Sequence, residues 1–318
     1  MNRWGITIPF SGRTMIEAKQ LVAELPALGY TDAWTAEVNG SDGFTPLALA
    51  ADWAPELRLG TAIVPVSTRG PGLLAMSAAT LADLAPERFV LGIGSSSPVI
   101  VEWWNAGEFA KPYARTRDTL RFLRAALAGE KVTEAYETFE VKGFRLDRAP
   151  RIPPRIVLAA LRPRMLRLAA QEADGAITNW LSPDDVRQVR AEIGPDVELI
   201  ARLFVCVSED VERVRQVGRR MLASYLTVPV YAAFHEWLGR GETLRPMLDA
   251  WAAGDRKAAL KAIPDELVDA LIVHGDADAC RARIERYVAN GLSTPILAPF
   301  TVDDTPIEEV VRALAPRP

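Results

Sequence analysis

Short apolar runs that read as buried β-strands recur along the chain, each followed by a segment with helical spacing. The first four runs are Arg3–Pro9, Tyr30–Ala36, Leu57–Val66 and Arg88–Gly94. They begin near residues 4, 31, 58 and 88, a repeat of 27 to 30 residues that holds one strand and one helix. Four more runs follow: Pro154–Ala160, Gly175–Asn179, Val197–Val207 and Thr294–Pro299. These strands are apolar throughout and do not alternate, which suits a parallel sheet buried on both faces. Eight βα units predict an α/β fold closed as a (β/α)8 TIM barrel rather than an open sheet.

Local signals fit that plan. Thr14 to Glu17 has the pattern of a capping box. Leu21, Val22, Leu25 and Leu28 continue at helical spacing, with Gly29 as the expected stop. Leu47–Ala54, Leu73–Leu84 and residues 113 to 128 read as further helices. Two connections are long and lie after strands 4 and 7. The first carries a stretch, Lys131–Leu146, that alternates like a hairpin; the second, about 208–290, holds several helices. No segment has the composition of a linker, so residues 1–318 are expected to form one barrel domain with a helical insertion.

Composition narrows the partners. The net charge of −4 gives no basic field for nucleic acid. The longest apolar runs fall far short of the about 18 residues that cross a bilayer. No signal-peptide core opens the chain, so a cytoplasmic protein acting on a small molecule is expected, without nucleic acid or membrane. Two cysteines, Cys206 and Cys280, and two histidines, His235 and His274, leave no zinc site of the usual kind, and no metal is expected. Neither histidine ends a strand. His235 falls in a helical stretch and His274 at a helix-to-loop junction, and both read as structural.

Several strand ends carry groups suited to ligand binding. Gly92-Ile93-Gly94-Ser95-Ser96-Ser97 is either a tight turn or a ligand loop; it lacks the third glycine and later acid of a dinucleotide fingerprint. Gly60 inside a buried strand suggests a bulge or close backbone approach. Glu37 either caps a helix start or points into the barrel mouth. Ala159 to Met165 turns into a helix with Pro163 in its first turn, and Arg162 and Arg164 there are either solvated or an anion site. Trp103, Trp104 and Trp180 are either core residues or walls for a planar ligand.

In order, these segments resemble the luciferase-like monooxygenase superfamily, in particular its coenzyme F420-dependent oxidoreductases. The resemblance rests on Trp34 to Glu37 with Asp42 to Thr45, on Leu57 to Ile63, on Glu87 to Gly94, and on Val157 to Leu168 with Ala173 to Ala176. It implies a flat deazaflavin or flavin ring at the mouth and a cis bond between Ala62 and Ile63 behind it. The implied cofactor-binding residues are Glu37, Thr61, Ala62, Ile63, Gly94, Ser95, Ser96, Ala159, Ala160, Leu161, Arg162 and Arg164. The implied substrate pocket comprises Phe10, Val38, Trp103, Trp104 and Trp180.

One departure affects proton handling. Many relatives have a histidine directly after the acid of strand two; here it is Val38, which leaves Glu37 as the available catalytic carboxylate. Ser97 stands where sugar-phosphate dehydrogenase relatives have an acid, which argues against sugar-phosphate oxidation. The resemblance implies hydride transfer between C5 of F420 and a small organic substrate. The alternatives are an FMN-dependent monooxygenase fed by a separate reductase, and a non-catalytic flavin- or deazaflavin-binding barrel. It also implies a homodimer through the helices beside the early strands, and a flavin or F420 reductase as a partner.

Overall fold

A computed structural model describes residues 3–317. Eight parallel strands close on one another: β1 (Gly5–Thr7), β2 (Asp32–Thr35), β3 (Arg58–Thr61), β4 (Phe89–Gly94), β5 (Arg155–Ala159), β6 (Gly175–Asn179), β7 (Glu198–Val207) and β8 (Thr294–Pro299). Each pairs with its neighbours in order, and β8 returns to β1 with Gly5 opposite Ile296. The TIM barrel read from the strand repeat is therefore the observed fold. Among the described residues, no helix is long and apolar enough to cross a membrane.

The lumen is packed solid. Trp34, Val90, Val157, Ile177, Ile200 and Ile296 form one cluster inside the strands, with Ala62 and Ile63 packed on it. Gly60 on β3 exists because of Trp34: a Cβ there would lie 2.2 Å from the indole ring. The third strand breaks just beyond, at the non-prolyl cis bond Ala62–Ile63, and resumes briefly at Val64–Pro65. Below the lumen cluster, the first residues of five strands form an ionic floor. Arg58 contacts Asp32 and Glu198, and Arg155 pairs with Glu198 at 2.7 Å. Thr294 Oγ1 donates to Glu198 Oε1 at 2.8 Å.

The helices form where the sequence pattern put them, with one shortened. Thr14 and Glu17 cap each other reciprocally at the start of the helix Met15–Glu24. That helix stops at the C-cap Leu25, not at Gly29, because Pro26 has no N–H to continue it. Gly29 instead takes a φ of +93° in the turn that leads to β2. After β4 come a π-helical turn (Val99–Trp104), the helix Pro112–Leu127 and the hairpin formed by Val132–Ala135 and Glu140–Phe144.

The segment after β7 differs in one respect from an all-helical insertion. Its helices Val211–Leu226, Pro229–Trp237, Gly241–Ala252, Arg256–Lys261 and Asp265–Leu271 lead into a strand, Ile272–Gly275. This strand pairs in parallel with Phe204–Val207. Strand β7 is ten residues long and β6 covers only its first half, so Ile272–Gly275 covers the edge left bare. His274 thus lies on a strand rather than at a helix-to-loop junction. Its Nε2 is 3.0 Å from Asp269 Oδ1, and Asp269 also takes two hydrogen bonds from Arg215.

Candidate active site

The C-terminal ends of the strands surround a cavity of about 870 Å³. Its floor is the broken third strand, Ala62 and Ile63, resting on the lumen cluster. One side is built by Glu37 and Val38 after β2 and by Ser95, Ser96 and Ser97 after β4. Another is built by Ala159, Leu161, Arg162 and Arg164 after β5. Trp104 of the π-helical turn and Ser224, Tyr225, Val228 and Tyr231 of the insertion complete the wall.

Glu37 is held from two directions. Its Oε1 is in an ion pair with Arg69, and Gly43 N–H donates to Oε2 at 2.8 Å. Arg69 is itself packed over the ring of Phe44. A carboxylate fixed by a guanidinium and a backbone amide is a positioned acceptor rather than a mobile base. At the opposite edge, Arg164 stacks on Tyr113 with its guanidinium carbon 3.9 Å from the ring centroid. Neither Arg162 nor Arg164 has a carboxylate partner among the described residues. Both stand at the start of the helix Pro163–Glu172, where the helix dipole adds to their charge.

Six residues assigned to the site from the sequence do not line this cavity. Thr61 lies under the floor, where its hydroxyl and Gly92 exchange hydrogen bonds at 2.7 and 2.8 Å. Gly94 is packed so close to Ala159 and Ile63 that a Cβ would fall 2.7 Å from the Ala159 methyl. Ala160 and Phe10 are buried in the layer between barrel and helices. Trp103 points outward, 76% exposed, because only one of two consecutive residues on the π-helical turn can face the cavity. Trp180 takes a φ of +52° and turns into the core of the insertion, stacked on Phe204 at 4.0 Å between centroids. The remaining residues of that set, including Val38 and Trp104, come together around the cavity.

The description "Luciferase-like monooxygenase" fits a family profile that matches residues 7–294. The chain belongs to this family. A Mycobacterium tuberculosis protein, by name a candidate coenzyme F420-dependent oxidoreductase, is 29% identical over 87% of this chain and 89% of its own length. The coenzyme F420-dependent tetrahydromethanopterin reductase of Methanopyrus kandleri superposes with a TM-score of 0.77. It is 17% identical, with 99% and 97% of the two chains covered. The oxygenating constituent of 3,6-diketocamphane monooxygenase from Pseudomonas putida, solved with FMN, gives 0.65 at 16% identity, with 99% and 97% covered. At such identities these two structures share the fold.

Sequence reasoning missed the polar end of the cavity formed by Asn179, Arg202 and Tyr231. Asn179 Nδ2 donates to the Tyr231 hydroxyl at 3.2 Å, and burial pushes that phenol up to about 12. Thr178, also in the lining, has a buried hydroxyl with no partner. Arg202 interrupts the apolar run of β7, a signal available in the sequence. In a strand buried on both faces, however, the pattern alone does not say which face a residue takes.

Proposed function

We propose that this protein is a coenzyme F420-dependent oxidoreductase that passes a hydride between C5 of the deazaflavin and a small organic substrate. One observation carries the reading: a single cavity joins a flat, apolar floor at Ala62–Ile63 to two carboxylate-free arginines at its edge. That donor set suits a planar ring with an anionic tail. The relative 29% identical to this chain carries the same cofactor in its name, which supports the reading.

When bound, F420 would supply the two-electron hydride chemistry. Ala62 and Ile63 would support one face of the ring, with Ser95 and Ser96 offering hydroxyls at its edge. Arg162 and Arg164 would hold the tail by charge-assisted hydrogen bonds. Glu37, fixed by Arg69, would orient a donor of the ring or substrate. Tyr231 would hold a proton at Oη: with its phenol raised to about 12, it stays protonated at neutral pH and can donate to a substrate oxygen. The helices around Tyr225 and Tyr231 would exclude water. Thr61, Gly94 and Ala160 would act one layer behind, by holding the floor and strand ends in place.

The second reading is an FMN-dependent monooxygenase supplied by a separate reductase. The family description and the fold shared with an FMN-bound oxygenase favour it. Fluorescence titration of the purified protein with F420 and with FMN separates the two. Binding of F420 at micromolar or lower concentration, with FMN at least tenfold weaker, is the expected result. The reverse preference supports the monooxygenase, and binding of neither overturns both. On the F420 reading the protein works in the cytoplasm beside a reductase that regenerates its cofactor. We also propose a homodimer through the helix Pro71–Leu84, which leaves Leu73, Met76 and Leu84 about half exposed. Light scattering at micromolar concentration should give twice the chain mass, and Leu73→Glu with Met76→Glu should give the monomer.

A further inference from the structure

Arg202 is the half-buried arginine of the barrel strands that faces the mouth without a carboxylate partner among the described residues. Strand alternation puts it on the same face as Ile200, one layer above the lumen cluster and inside the mouth. In register it lies beside Asn179 of β6 on one side and Ile296 of β8 on the other. Its Nε donates to Thr7 Oγ1 at 3.3 Å, and its guanidinium carbon is 5.0 Å from the Phe204 ring centroid. Its two terminal nitrogens have no hydrogen-bond partner among the described residues. Glu37 is the only carboxylate in the cavity lining, and Arg69 already occupies it. A guanidinium anchored at Nε, with both outer nitrogens unpartnered at the wall of the cavity, is arranged to receive a planar oxyanion in bidentate fashion.

Two neighbours complete such a pole. The Asn179 side chain and the Tyr231 hydroxyl form a hydrogen-bonded pair on the adjoining wall. Arg162 and Arg164 stand two strands away around the rim, at the end of β5. The cavity therefore has two separate cationic ends, and the proposed cofactor tail accounts for only one.

We propose that Arg202, with Asn179 and Tyr231, binds an anionic oxygen group of the substrate, so that this enzyme acts on small organic acids. The proposal rests on the reading of the cavity as a cofactor-and-substrate site. Arg202 fixes the acid group, and this determines which carbon of the substrate lies over the floor at Ala62–Ile63. Arg202 is in this sense a specificity-determining residue.

The test is isothermal calorimetry of benzoate, phenylacetate and hexanoate against the matching amides, on protein with and without F420. Wild type should bind each carboxylate at least tenfold more tightly than its amide. In Arg202→Met the preference should shrink to threefold or less, and in Arg202→Lys it should return in part. F420 affinity, read by fluorescence on the same samples, should stay within twofold in every variant. No carboxylate preference in wild type overturns the proposal without recourse to any variant. So does a preference that survives in Arg202→Met. A loss of F420 affinity as large as the loss of carboxylate affinity assigns Arg202 to the cofactor instead. If F420 fails to bind while the Arg202-dependent preference holds, the functional reading falls and the acid-binding pole stands.

Discussion

Two arginines lie inside the same barrel, one at each end, and their surroundings are opposite. Arg58 at the floor is surrounded by acceptors: Asp32, Glu198 and Thr294 all bond to it, and the Trp34 ring packs on it at 5.3 Å. Those partners hold the Glu198 carboxyl below its ordinary range despite its burial. Arg202 at the mouth has one hydroxyl partner, and burial without a carboxylate lowers its pKa. The floor satisfies its charges internally and so contributes to holding the strands together. The mouth leaves a charge unsatisfied, which costs stability unless a ligand completes it.

This contrast can be broken by substitution. Arg58→Met would leave Asp32 and Glu198 buried without their cation, and should lower the unfolding free energy by about 3–5 kcal/mol in urea titration. A loss under about 1 kcal/mol would show that the floor pair only breaks even.

A second effect belongs to the mouth side. His235 lies on the same helix as Tyr231, fully buried, with neither ring nitrogen hydrogen-bonded. Burial, helped by Arg240 nearby, pushes its pKa down to about 4 from 6.5. The unfolded chain therefore takes up this proton first as pH falls. Stability should be level above pH 6.5, drop by about 3 kcal/mol between pH 6.5 and 4, and show no further loss from this group below that. Thermal unfolding across this range should show the slope, and His235→Leu should flatten it. A slope unchanged in that variant would assign the acid sensitivity elsewhere.

The smallest effect has the opposite sign. Arg202→Met keeps the aliphatic stem and removes an unpaired charge, so its unfolding free energy should equal the wild-type value or exceed it by up to about 1 kcal/mol. Destabilisation as large as that of Arg58→Met would erase the distinction between the two ends.

How far the sequence reveals this molecule follows the same divide. The barrel was legible because its strands are buried on both faces, largely apolar and, for the first four, regularly spaced. Glu37, Ile63, Ser95 and Arg162 follow strand ends, which in a barrel lead to the mouth, and they line the cavity as expected of that position. Trp180 also ends a strand, but a left-handed backbone turns it away, and no neighbouring glycine or turn motif announced that. Strand Ile272–Gly275 merges into the helix before it as one apolar run, Ala270 to Val273, so periodicity could not separate them. Phe10 and Thr61 were placed correctly along the chain but one layer too high.

The two ends of the insertion meet. Ser208 N–H donates to Gly275 O at 2.9 Å, so the chain leaves β7 and returns to it at one point. The helices between, Val211 to Leu271, hang from this neck, yet supply Tyr225, Val228 and Tyr231 to the cavity wall. Such a segment behaves as an exchangeable cassette. Recombination or design could replace residues 209–271 with another segment and alter the substrate-facing wall, while the barrel keeps its ionic floor, its Ala62–Ile63 platform and the strand Ile272–Gly275 on the edge of β7.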